Sequence, residues 1–178
     1  MQTIRDLHTP PNVAGRIDAI VVRSAWRTPA RSIAHTVALA GIGLADDRLG
    51  QRAAASTAAR QVTLIQAEHL AVIARLARVD AIDPVRLRRN LVVSGINLVA
   101  LRNVQVRVGD AVLEIVGPCH PCSRMEEEIG PGGYAAMRGH GGMVARILTA
   151  GAIRVGDEVR ATDAARTAAA APAQPGLF

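Results

Sequence analysis

Apolar and polar positions alternate in several short runs along this chain, and one run switches to helical spacing. Residues 16–23 (R-I-D-A-I-V-V-R) are rich in β-branched side chains and predict a strand, and 32–39 predict a second. Residues 40–48 hold Gly41 and Gly43 and end in Asp46-Asp47-Arg48, the composition of a turn-rich connector. The Ala- and Ser-rich stretch 52–59 carries no clear period. Residues 60–65 (R-Q-V-T-L-I) largely alternate as a strand does. In 66–78, Leu70, Ile73, Ala74 and Ala77 recur at helical spacing, which predicts an amphipathic helix. Asp83-Pro84 opens a short turn, and 87–94 leads into another strand.

A repeated phrase comes next. Val106-Arg107-Val108-Gly109-Asp110-Ala111-Val112 is echoed by Ile153-Arg154-Val155-Gly156-Asp157-Glu158-Val159. A Gly-Asp pair between β-branched runs signals a tight turn, so both copies predict antiparallel hairpins. Residues 111–116 read as a strand that stops at Gly117-Pro118. Residues 1–15, polar and holding Pro10-Pro11, form an irregular arm in this reading; 161–178, rich in Ala, Thr and Pro without periodicity, form a disordered tail. Between them 16–160 make one domain, mainly β with inserted helices (α+β), best satisfied by a β-barrel or a strongly coiled sheet.

Composition narrows the chemistry. Hydrophobic residues make up 49% of the chain and aromatics only 2%, so the core is built from Val, Ile, Leu and Ala. The formal net charge is +6, yet all 21 basic residues are Arg. A chain without Lys cannot form a pyridoxal phosphate Schiff base or fill the Lys position of a P-loop. Guanidinium groups still suit anionic ligands, which they grip bidentately. The Arg residues are spread along the chain without interleaved aromatics, which argues against nucleic acid. The first residues lack the apolar core of a signal peptide, and no stretch approaches the roughly 18 apolar residues of a membrane span. Two Cys without an export signal predict a reducing, cytoplasmic setting, where the pair is reactive or metal-binding.

Both cysteines lie in Gly117-Pro118-Cys119-His120-Pro121-Cys122-Ser123-Arg124. The two prolines pin a fixed loop leaving a strand, and 123–128 then read as a helix start. A Cys at a helix N-terminus beside Arg124 has two reasons to be held as thiolate, the helix dipole and a neighbouring cation; the acidic run Glu126-Glu127-Glu128 opposes them. Four readings stay open on these residues. The thiols are buried and inert; they form a thioredoxin-like C-x-x-C pair; with His120 and His140 they bind zinc; or one is a thiolate lying beside a phosphorylated ligand. The last draws on residues 130–142, where Gly130, Gly132, Gly133, Gly139, Gly141 and Gly142 free the backbone to converge on an anion and Arg138 adds a bidentate donor.

The order of segments resembles a known family. The connector 43–48 ending in Asp47-Arg48, R-Q-V-T-L-I-Q-A-E (60–68), R-R-N-L-V-V-S-G (88–95), P-C-S-R-M (121–125) and the closing run 141–159 together resemble a stand-alone, bacterial-type MOSC domain. That family is named for the C-terminal region of molybdenum cofactor sulfurases. One departure stands out: the family usually has Gly before the Asp-Arg pair, where this chain has Asp46. The resemblance implies a β-barrel-like fold that binds a molybdopterin-type molybdenum cofactor or carries sulfur for metal–sulfur assembly. Cys122 falls where the family presents its molybdenum ligand or sulfur acceptor, and Cys119 is an extra thiol beside it. Arg88, Arg89 and Asn90 match a motif that lies near the cofactor, and Arg48, Arg124, Arg138 and His140 join them as cofactor-binding candidates. Two functions follow from this. One is an oxidoreductase that reduces N-hydroxylated compounds with electrons from separate donor proteins. The other is a non-enzymatic carrier whose Cys122 takes a persulfide from a cysteine desulfurase. The first is preferred, since the Arg set and the Gly-rich loop suit a bound phosphate.

Overall fold

The β-branched run at the start of the domain forms β1 (Gly15–Val22), from which the barrel is built. The computed structural model describes residues 13–51 and 58–162. The expected arm up to residue 12, the ambiguous stretch 52–57 and the expected tail from 163 onward lie outside the described residues. The remaining strands are β2 (Arg31–Ile33), β3 (His35–Leu39), β4 (Gly43–Leu44), β5 (Val62–Gln66), β6 (Leu91–Ser94), β7 (Gln105–Val108), β8 (Ala111–Pro118), β9 (Met143–Thr149), β10 (Gly151–Arg154) and β11 (Glu158–Ala161). Ala161, expected in the tail, is thus a buried strand residue.

The strands β11-β7-β8-β9-β5-β6-β1 are hydrogen-bonded in that order, and β1 pairs back onto β11, closing a seven-stranded barrel. β2 extends the sheet beside β1, and β10-β3-β4 form a smaller second sheet. The β5–β6 pair is parallel, which requires a crossover, and α1 (Ala67–Ala77) supplies it. This is the helix expected from the spacing of Leu70, Ile73, Ala74 and Ala77. It ends with Arg78 in a left-handed C-cap whose N–H bonds back to Arg75 O at 3.3 Å.

Apolar side chains divide between two cores. Ile17, Ile20, Leu64, Leu91, Val93, Leu113 and Ile115 fill the barrel, while Ile65, Ile73, Leu87, Val92, Met125 and Met137 pack between its outer face and the helices. Every residue of β5 is therefore buried. A strand covered on both faces reads as a nearly continuous apolar run, which is why the alternation in 60–65 is incomplete.

Two expectations change. The run 32–39 is two strands that separate at Ala34: β2 pairs with β1 and β3 pairs with β10. The repeated Gly-Asp phrase makes only one hairpin. Its first copy turns between β7 and β8, with Val108 opposite Ala111. Its second copy links β10 to β11, which belong to different sheets. The two turns lie against each other instead, with Gly109 N donating to Glu158 O (3.2 Å) and Asp110 N to Ala152 O (3.0 Å). A Cβ at Gly109, where φ is 56°, would overlap the Asp157 carboxylate. Turn chemistry is local, but the edge onto which a strand turns is not.

Candidate functional site

The tripeptide Arg88-Arg89-Asn90 sends its three side chains to three different tasks. Asp83 caps the preceding 3-10 turn (Pro84–Leu87) by accepting from Val85 N at 2.9 Å. Arg88 leaves that turn with φ 58°, a left-handed conformation uncommon for a residue with a Cβ. Its Nη1 donates to the thiol sulfur of Cys122 at 3.3 Å. Arg89 turns inward and is only 3% exposed. Its Nε donates to Gly141 O (2.5 Å), Nη2 to Cys119 O (3.0 Å) and Nη1 to Leu87 O (3.1 Å), tying the cysteine loop to the start of β9. Burial pulls its pKa below the ordinary arginine value, opposed by the nearby Cys119 and Cys122. Asn90 accepts from Thr63 N (3.1 Å) and Thr63 Oγ1 (2.9 Å) and donates to Val21 O (3.2 Å), joining β5 to β1. One residue of the motif thus reaches the thiol and two hold the frame.

The cysteine loop itself divides the two thiols. Cys119 is buried and its N–H donates to Gly142 O at 2.8 Å; Cys122 is exposed. Gly141 is required here, because a Cβ would overlap Cys119 O and crowd the Arg89 guanidinium at 3.2 Å. The helix after the loop, α2 (Arg124–Ile129), has six residues, too short for the dipole the sequence suggested. The cation on the Cys122 sulfur is also not its chain neighbour. Arg124 pairs along its own helix with Glu128 at 3.6 Å, and the thiol's partner is Arg88, 34 residues away in the chain.

Cys122 lines a cleft of about 460 Å³ at the barrel mouth where β1 ends and β5 and β6 begin. Among the described residues its wall holds Arg23, Arg48, Arg60, Arg88 and Arg89, with Asp47 as the one carboxylate and His120 as the one imidazole. Asp47 Oδ1 already accepts from Arg23 N at 2.8 Å. Partial burial pulls the Arg23 pKa down and the charge of Arg88 adds to that, against the opposing effect of Asp47. Crowded cations of this kind favour an anionic guest. Sequence reasoning missed Arg23 and Arg60; the only signal was an Arg at the end of one strand and the start of another.

The glycine-rich segment lies elsewhere. Glu126 of α2 accepts from Gly132 N (2.6 Å) and Tyr134 N (2.9 Å), which opens α3 (Gly133–Ala136). Those two backbone bonds hold the Glu126 carboxyl below the usual carboxylate range. The converging N–H groups expected to hold a ligand phosphate are therefore occupied by a side chain of the protein. Arg138 is exposed on this segment, and neither it nor His140 nor Arg124 lines the cleft. His140 instead meets His69 of α1 edge to face, with ring centroids 5.2 Å apart. Partial burial, then the charge of His140, pull the His69 pKa down.

A second, more apolar cavity of about 240 Å³ lies on the other side of the cysteine loop, against Cys119, Pro121, Leu98, Met137 and Met143. His120 belongs to the walls of both cavities. With one thiol lining each, the zinc arrangement of Cys119, His120, Cys122 and His140 does not assemble. Among the described residues no cluster of three or more His, Cys, Asp or Glu could hold a metal ion. Nor is any described helix long and apolar enough to cross a membrane.

A family model described as the MOSC domain matches residues 47–160 of the chain. Among solved structures the chain is similar to the YuaD protein from Bacillus subtilis, with 19% identity, a TM-score of 0.69, and 83% of this chain and 95% of that one covered. It is similar to YiiM from Geobacillus stearothermophilus, at 15% identity and a TM-score of 0.66, covering 84% and 75% of the two chains. YiiM from Escherichia coli aligns at 16% identity and a TM-score of 0.62, covering 83% and 70%. At these identities the likeness concerns the barrel fold. No curated protein sequence matches the chain.

Proposed function

The chain belongs to the MOSC domain family, and from that premise we propose that its arginine cleft binds a molybdopterin-type molybdenum cofactor with Cys122 as the metal's protein ligand. In this reading the loaded protein is an oxidoreductase that reduces N-hydroxylated compounds, with electrons from separate donor proteins. The observation that carries it is an exposed thiol, held by Arg88 at 3.3 Å, in a cleft whose described wall carries five arginines.

The residues present fit such a guest. A soft sulfur suits molybdenum, and guanidinium forks suit the pterin phosphate. The cleft volume of about 460 Å³ falls within the roughly 300–1,000 Å³ typical of cofactor sites. When bound, the cofactor would supply the two-electron redox chemistry. The chain's own residues bind, orient and protonate. Arg23, Arg48 and Arg60 neutralise the phosphate. Arg88 fixes the direction of the Cys122 sulfur, while Arg89 and Asn90 hold the loop and the barrel mouth rigid beneath it. Converting R–NHOH to R–NH2 and water consumes two electrons and two protons. His120 is the group in the cleft wall suited to deliver a proton to the departing hydroxyl.

A second reading has its own support: the exposure of Cys122 lets a cysteine desulfurase reach it, as a persulfide carrier requires. The two separate in one preparation. Protein purified from a host that makes the cofactor should retain molybdenum and release pterin, and a Cys122→Ser variant should not. Purification without either, together with a one-sulfur mass gain on Cys122 after incubation with desulfurase and cysteine, would establish the carrier and defeat the oxidoreductase.

A further inference from the structure

We infer that Trp26 is a preformed stacking platform for the planar heteroaromatic ring of a ligand whose phosphate occupies the arginine cleft. The inference rests on the reading of that cleft as an anion site and adds to it the chemical class of the ligand's other half.

Trp26 is the chain's sole tryptophan. It is 66% exposed, the highest value among the large hydrophobic residues described, the next being Leu76 at 57%. Exposure of one large side chain is ordinary by itself, so its meaning comes from where the indole stands. The Arg48 guanidinium carbon lies 5.7 Å from the ring centroid, and Arg48 is also a wall residue of the cleft. The indole is not itself a wall residue but stands one contact removed, through Arg48, from the cations that would hold a phosphate.

The backbone keeps it there. Trp26 and Arg27 are the central pair of a turn closed by Thr28, whose Oγ1 accepts from Ala25 N (3.1 Å) and donates to Ala25 O (3.0 Å). Arg27 takes a left-handed φ of 63° to complete that turn. At its root, Arg48 N donates to Arg23 O (2.8 Å) and Arg23 N donates to Asp47 Oδ1 (2.8 Å), so the segment is fastened to the cleft wall. A platform ordered in advance loses little entropy when a ring settles on it. The surroundings do not suit protein docking: Arg27 follows the indole in the chain, Arg48 lies over its ring, and the other exposed large hydrophobics among the described residues sit on other elements. A cationic rim with one flat aromatic fits a planar ring joined to a phosphate, as in a pterin or a nucleotide.

The single tryptophan makes the test direct. The protein without cofactor is titrated with neopterin monophosphate and, as its ring-free counterpart, with glycerol phosphate, following heat by calorimetry and tryptophan emission. Stacking of this kind strengthens binding about fivefold to a hundredfold. The pterin phosphate should therefore bind tighter by at least that lower factor and quench the emission, and glycerol phosphate should leave the emission unchanged. Trp26→Ala should bring the pterin phosphate to the level of glycerol phosphate, Trp26→Phe should keep most of the advantage, and Arg60→Ala should weaken both probes alike. Equal binding of the two probes, or an unaltered pterin affinity in Trp26→Ala, overturns the stacking role and leaves the anion cleft standing. Failure of both probes to bind at millimolar concentration overturns the cleft reading and the platform with it.

Discussion

In the segment 130–142, two backbone N–H groups converge on the carboxylate of Glu126; in the cleft, the guanidinium groups of Arg23, Arg48, Arg60 and Arg88 stand with Asp47 as the one carboxylate of the described wall, the Arg89 donors being taken by carbonyls. Both regions carry donors suited to an anion, and the glycine-rich one looked the more explicit of the two in sequence. The difference is whether the chain answers its own donors. Glu126 sits six residues before Gly132 and can fold back onto it. Among the described residues Asp47 alone brings a carboxylate to the cleft, whose arginines arrive from the end of β1, from the connector before β5 and from the turn before β6. An anion hole filled by the chain's own carboxylate serves structure; one left open to solvent is a candidate site.

That contrast can be broken at several points, the most severe first. Cys122→Ser should reduce molybdenum retention to background by elemental assay while leaving the melting temperature near that of the parent, since the thiol is exposed. Retention at the parent's level would remove Cys122 from the site. Arg89→Met should lower unfolding stability by about 2–4 kcal/mol in urea titrations, because the carbonyls of Gly141, Cys119 and Leu87 lose a charged donor. Arg89→Lys should rescue little, since an ammonium cannot span three carbonyls as a fork does. A stability change below about 0.5 kcal/mol would show that the loop does not depend on it.

Arg88→Met is the sharper contrast, one residue earlier. It should leave stability within about 1 kcal/mol, as expected for a half-exposed side chain. Anion affinity should fall about tenfold by calorimetry, the worth of one charged hydrogen-bond donor. If Arg88→Met destabilises as much as Arg89→Met, the division of labour within the tripeptide is wrong.

The smallest effect belongs to Glu126. Its folded-state pKa is depressed by the backbone hydrogen bonds from Tyr134 and then Gly132, so its contribution is present above the ordinary carboxylate range and is lost as pH falls through the depressed value. Protection factors at Gly132 and Tyr134, corrected for intrinsic exchange, should therefore hold as pH falls through the ordinary carboxylate range and be lost only below it. Glu126→Gln should remove that acid sensitivity without altering phosphate affinity. A gain in phosphate binding in this variant would show that the loop is a second anion site masked by its own carboxylate.

Much of this was legible in the residues themselves. The helical spacing of Leu70, Ile73, Ala74 and Ala77 produced α1, and β-branched runs produced β1 and β6, because both signals come from neighbours a few positions apart. The Gly109-Asp110 turn and its hairpin were equally local. The cysteine segment stood out from its prolines and its C-x-x-C spacing, and the resemblance of five ordered motifs pointed to the barrel. What could not be read was direction. Arg88 and Arg89 are adjacent and chemically identical, yet a left-handed φ at Arg88 sends one to the thiol and the other into the interior. The second Gly-Asp copy has the chemistry of the first, but the edges available to β10 and β11 lay in different sheets.

By itself, then, the sequence determined the kinds of elements, the position of the cysteine loop and a basic set made wholly of arginine, since these follow from covalent chemistry and short-range periodicity. Only the tertiary structure decided which cation meets Cys122, which of two anion holes stays open, and where the lone tryptophan stands. Those outcomes depend on side chains brought together across tens of residues by barrel closure, where packing rather than local preference chooses the neighbour.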